Sequence, residues 1–193
     1  MSYVHTVAVF CGAHAGHDPA FRAAATRLGR LLARADMRLV YGGGRVGLMG
    51  ALAEGALAEG GQVIGVIPEF LTRLEAAHHG LSELIITDSM HSRKRRMFEL
   101  SDAFVSLPGG LGTLDETIEI ITWRQLKLHD KPILICDVAD SATPLLAAME
   151  AAITAGFARS DVRTLFERTE GVNATVERLQ QLQAAKAGTA ALL

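Results

Sequence analysis

Short apolar runs alternate with helical stretches from one end of this chain to the other, and that alternation leaves few folds open. Val63, Ile64, Gly65, Val66 and Ile67 run without a polar break, as a parallel strand covered on both faces requires. The pattern predicts strands near 5–11, 38–41, 62–67, 84–87, 103–107 and 132–136, with a weaker one near 164–168. Helices are predicted near 18–34, 47–59, 90–100, 113–127, 143–155 and 173–185, leaving 69–82 as a strandless connection. The fold class is therefore α/β: a Rossmann-like doubly wound parallel sheet with helices on both faces. The 193 residues suit one nucleotide-binding domain over 1–183, with the alanine-rich stretch 184–193 expected to fray.

In such sheets ligands bind beyond the carboxyl ends of the strands, and the glycines cluster there. Gly12 and Gly16 follow the first strand, Gly42, Gly43, Gly44 and Gly47 the second, and Gly109, Gly110 and Gly112 the fifth. The segment PGGLGTLDE, Pro108 to Glu116, places its glycines in a strand-to-helix turn, where free amides and the helix dipole make an anion site. Glu116 follows one turn later. The same residues also fit a capping box, with Thr113 as cap and Glu116 folding back on it.

Gly42, Gly44 and Gly47 spell GxGxxG, with Glu69 a little over twenty residues on. That outlines a dinucleotide site, although it follows the second strand and Pro68 precedes the acid. Gly43 and Gly44 are taken as nucleotide or phosphate contacts. In MHSRKRRM, residues 90–97, helical geometry puts Met90, Arg93, Met97 and Leu100 on one inward arc. A buried guanidinium cannot shed its proton, so Arg93 needs an anion: a substrate phosphate or a carboxylate such as Glu116. The helix after the anion turn carries two apolar stripes, Leu114/Ile118/Ile121 and Glu116/Ile120/Trp123. One would stay wet in a monomer, which predicts a homodimer interface beside the site.

Composition narrows the field further. With 49% hydrophobic and 21% charged residues and a net charge of −2, nothing draws the chain globally to nucleic acid. No apolar run approaches the roughly 18–20 residues of a membrane span, and the N-terminus lacks signal-peptide character, so the cytoplasm is expected. Cys11 and Cys136 read as buried reduced thiols, His78 and His79 as surface residues, and His14 as better placed for function. No metal-ligand spacing is present and no cofactor is expected.

Four segments, YGGGRVGLMG at 41–50, MHSRKRRM at 90–97, PGGLGTLDE at 108–116 and ITWRQLKLHDKP at 121–132, together resemble the Lonely Guy family. These are the cytokinin riboside 5′-monophosphate phosphoribohydrolases, whose bacterial members were once labelled lysine decarboxylases. The resemblance implies hydrolysis of a nucleoside 5′-monophosphate, AMP included, to free base and ribose 5-phosphate. It implies Arg93 and Glu116 as the catalytic pair, and Glu75, Lys94, Thr122 and the turn Gly109, Gly110, Leu111, Gly112, Thr113 as substrate contacts. One departure stands out: CGAHAG replaces the common CGSSxG, so Ala13 and His14 stand where hydroxyls are usual. A non-catalytic nucleotide carrier or sensor and an NAD(P)-binding oxidoreductase are the alternatives.

Overall fold

The computed structural model describes residues 4–72 and 77–190, with side chains described through Ala184. Seven strands form one sheet in the order β4-β3-β2-β1-β5-β6-β7. They are β1 (Thr6–Phe10), β2 (Arg38–Tyr41), β3 (Val63–Pro68), β4 (Glu83–Thr87), β5 (Ala103–Ser106), β6 (Ile133–Asp137) and β7 (Glu167–Glu170). Every ladder is parallel. The helices are α1 (Pro19–Arg34), α2 (Gly47–Ala58), α3 (Met90–Leu100), α4 (Leu111–Gln125), α5 (Thr143–Thr154) and α6 (Gly171–Ala190).

Alternate residues of the fully buried strands face opposite layers. Val7, Val9, Leu39, Tyr41 and Val105 pack into the larger core with α1, α2 and α6. Ala8, Phe10, Val40, Val66 and Phe104 pack into the other, with Met97 of α3 and Ile120 and Ile121 of α4. From β1 the chain winds outward through β2, β3 and β4, then returns to lay β5 on the opposite side of β1. The crevice at the carboxyl ends of β1 and β5 is thus the topological switch point.

The structure differs from the sequence reading in four places. The last strand runs Glu167–Glu170 rather than 164–168, because Ser160–Thr164 form a 3-10 turn and the apolar pair Leu165 and Phe166 packs into the core ahead of the strand. As an edge strand it carries exposed charges, which hid it from a search for apolar runs. Helix α4 starts at Leu111, two residues before the predicted 113, and α6 continues to Ala190 beyond the predicted 185. The 69–82 connection holds a 3-10 turn at Glu69–Leu71 and an isolated bridge from Ala77 to Gly44. His78 lies at that bridge and is buried, not a surface residue: its N–H donates to Gly43 O at 3.0 Å and its Nδ1 accepts from Gly80 N at 3.1 Å.

Candidate active site

A cavity of about 590 Å³ opens at the switch point, a size typical of small-molecule sites. Its wall is built from the turns after β1 and β5 and from the first turns of α3 and α4, and it includes Gly109, Gly110, Leu111, Gly112, Thr113 and Glu116.

The α4 end of the wall decides between the two readings of PGGLGTLDE. Gly110 is the N-cap and makes no side-chain capping bond, and the first turn contains no acid. Thr113 is the third helical residue, so Thr113 and Glu116 do not form the capping box. By contrast, α1 is capped by Asp18 and α3 by a reciprocal pair, Ser89 and Ser92. The first N–H groups of an α-helix have no intrahelical acceptor, and the α4 residues that carry them, Leu111, Gly112 and Thr113, line the cavity. Gly109 has no room for a side chain: a Cβ there would lie 2.1 Å from Thr113 Oγ1 and 2.9 Å from Gly12 N. Glu116, only 8% exposed, lies in the second turn of the helix and in the same wall.

Arg93 projects from the first turn of α3 into the cavity and is 5% exposed. Its Nε donates to Val66 O at 3.1 Å and its Nη2 to Gly42 O at 3.0 Å, tying α3 to the ends of β2 and β3. A Cβ at Gly42 would fall 2.1 Å from Nη2. This glycine is therefore a seat for a guanidinium, a role the GxGxxG pattern does not announce. Cys11, at the end of β1, registers both charged groups: burial pushes its thiol well above the ordinary range, Glu116 pushes it further, and Arg93 opposes.

The other expected contacts lie elsewhere. Gly43 O accepts from His78 N and Gly44 pairs with Ala77, and neither glycine lines the cavity. Lys94 Nζ reaches across to α4, at 3.1 Å from Asp115 Oδ2 and 3.0 Å from Glu119 Oε2. Thr122 is exposed, donates to Ile118 O, and shares a surface groove with Leu111, Leu114 and Ile118. Glu75 lies outside the described residues. Of the two α4 stripes, Ile120 and Ile121 are buried beside Glu116, whereas Leu114 and Ile118 are 39% and 41% exposed. Ile121 thus leaves its predicted stripe for the core.

The dinucleotide alternative loses its physical basis at α2. Its first amides are already engaged, since Leu48 N and Met49 N both donate to Gly12 O, so they do not face a pyrophosphate. Glu69 sits exposed in the 3-10 turn, away from the cavity wall. Sequence reasoning missed Phe21, Met49 and Ser141 in the wall. Ser141 comes from the loop after β6, where no periodicity exists to flag it.

Comparison with known proteins follows the same lines. The family described as "Possible lysine decarboxylase" matches residues 49–179. A cytokinin riboside 5′-monophosphate phosphoribohydrolase of Rhodococcoides fascians is 51% identical over 153 residues, covering 79% of this chain and 77% of its own length. One from Arabidopsis thaliana is 38% identical over 174 residues, covering 90% and 82%. Among solved structures, the molybdenum cofactor carrier protein of Chlamydomonas reinhardtii shares the fold, with a TM-score of 0.70 at 21% identity over 93% of this chain and 98% of its own. Sequence identity over most of the chain shows that this protein belongs to the Lonely Guy family of cytokinin riboside 5′-monophosphate phosphoribohydrolases.

Proposed function

We propose that the protein hydrolyses the N-glycosidic bond of cytokinin nucleoside 5′-monophosphates, and of AMP, to free base and ribose 5-phosphate. The observation that carries this reading is the joint placement of an uncapped helix N-terminus and a buried carboxylate, Glu116, in one cavity wall. The α4 amides over Gly110–Thr113 receive the 5′-phosphate, which sets the pentose over Glu116. As the C1′–N bond lengthens, its electron pair leaves with the base and positive charge grows on the sugar. The Glu116 carboxylate stabilises that charge and takes a proton from the water that bonds to C1′; the departing base takes its proton from solvent. Arg93 fixes the floor of the site through Gly42 and Val66 and sets its positive charge near the carboxylate.

Decarboxylation of lysine would call for a Schiff-base lysine. Among the described residues none lines the cavity, and Lys94 is held by Asp115 and Glu119. The enzyme works in the cytoplasm as a homodimer formed through the wet α4 stripe of Leu111, Leu114 and Ile118. Sedimentation of Ile118→Asp as a monomer would support that interface, and an unchanged assembly would reject it. The decisive experiment for activity is incubation with AMP or adenosine, followed by chromatography for adenine. Release from AMP with little from adenosine is expected. Equal rates would remove the phosphate cradle, and no adenine from any nucleotide would favour a carrier.

A further inference from the structure

An incoming phosphate meets a cavity whose fixed charges are already balanced. The ionisable side chains among the described lining residues are Cys11, His14, Arg93 and Glu116. Cys11 is held neutral by burial, and the formal charges of Arg93 and Glu116 cancel. Two donor positions of the Arg93 guanidinium are spent on the Gly42 and Val66 carbonyls, at the β2 and β3 ends rather than at the α4 turn. Lys94 is engaged by two carboxylates outside this cavity. The α4 amides are neutral dipoles, so among the described lining residues a dianion there has no further cationic side chain to draw on than His14.

The backbone carries His14 to that place. Gly12 N donates to Pro108 O at 3.0 Å, and a Cβ on Gly12 would lie 3.3 Å from Gly109 Cα, so the turn after β1 lies directly against the turn before α4. From the other side, Leu48 N and Met49 N hold Gly12 O. Gly47, at φ +64°, packs so closely that a Cβ would sit 2.6 Å from His14 N. A turn clamped on both flanks presents an exposed imidazole at the cavity mouth at little entropic cost.

We infer that His14 is a phosphoryl-binding residue that completes the anion site begun by the α4 amides. The inference rests on the phosphoribohydrolase reading for where the phosphate lies. An imidazole offers an N–H donor in either protonation state and a full charge in one, so it suits the rim of a phosphate site.

The test is calorimetric titration of the full chain with AMP, ribose 5-phosphate and adenosine, in the wild type, His14→Ala and His14→Lys. His14→Ala should weaken AMP and ribose 5-phosphate about tenfold, the lower end for a hydrogen bond to a charged group, and leave adenosine unchanged. His14→Lys should restore most of the loss. Undiminished AMP affinity in His14→Ala overturns the inference, as does a loss shared by adenosine. Because the readout is binding, it remains decisive even for a wild-type protein that releases no adenine, the result that would sink the hydrolase reading alone.

Discussion

Replacing Glu116 with Gln separates catalysis from architecture, because the structure predicts a large effect on one and a small effect on the other. The amide matches the carboxylate in shape and has nearly the same helix propensity. It can neither take a proton from water nor carry the charge that offsets a cationic sugar. General-base catalysis contributes roughly 10²–10⁴-fold, so kcat/KM for AMP should fall at least about 10²-fold, or ~2.7 kcal/mol in barrier height. Stability should move by less than about 1 kcal/mol. Removing a buried charge relieves its desolvation, while giving up its attraction to the positive charge of Arg93, and the two effects oppose each other. Had Glu116 been part of a helix cap, its loss would have cost about 1 kcal/mol with activity intact; the cap at Gly110 removes that expectation. Cys11 supplies an internal control. Its thiol is raised first by burial and then by Glu116, so the variant should ionise that thiol at lower pH and react faster with an alkylating reagent. Adenine release, urea unfolding and alkylation on one preparation give all three readings. A rate within a few fold of wild type, whatever the other two show, would refute Glu116 as the acting base.

Arg93→Ala strands two buried carbonyls, at Gly42 and Val66, at about 1–3 kcal/mol each; a urea midpoint should register much of a total stability of about 5–15 kcal/mol, and Arg93→Lys should recover part of it. Gly109→Ala drives a methyl into Thr113, so it should cost about 1–3 kcal/mol and raise KM for AMP; an unaltered KM would show the turn to be idle in binding. His78 and His129 are both held below the ordinary histidine value, by burial first, opposed at His78 by Glu54 and at His129 by the Ile120 carbonyl. The unfolded chain therefore binds protons that the native fold refuses, and stability present above about pH 6.5 should be lost on acidification through the lower native values. Thermal melts of the wild type against His78→Gln and His129→Gln should show the variants less sensitive between pH 7 and 5, and identical slopes would contradict the assignment.

How far the sequence led depended on whether one physical cause dominated each signal. Buried parallel strands announce themselves through uninterrupted apolar runs, so β3 lies within a residue of its predicted bounds. Arg93 was legible because a position on the inward arc of Met90, Met97 and Leu100 is a severe constraint on a guanidinium. Its bonds to the Gly42 and Val66 carbonyls were not, and no composition distinguishes a glycine that seats an arginine from one that cradles a phosphate. Thr113 and Glu116 fitted a cap by spacing, yet the helix began two residues earlier because Gly110 entered it without a side-chain cap. His78 looked like a loop residue until a backbone bond to Gly43 drew it inward. The misses at Gly42 and His78 concern long-range contacts to backbone, which leave no local trace.

The position of Arg93 and Glu116 follows from the topology itself. In a parallel sheet every helix begins at the carboxyl edge, so a residue in its first two turns stays near that edge, at about 1.5 Å per residue. Arg93 is the fourth residue of α3 and Glu116 the sixth of α4, and these helices lie on the same face, before and after β5. Two motifs separated by a whole strand thereby meet over one crevice. The same geometry sends their neighbours away: Lys94, one residue and about 100° further round α3, turns to Asp115 and Glu119 on α4. Thr122, six residues beyond Glu116, stands roughly 9 Å further down the axis, on the face shared by Leu114 and Ile118. Were Thr122 to contact substrate, it would have to reach a site other than the one its own helix begins, which ties that role to the proposed homodimer.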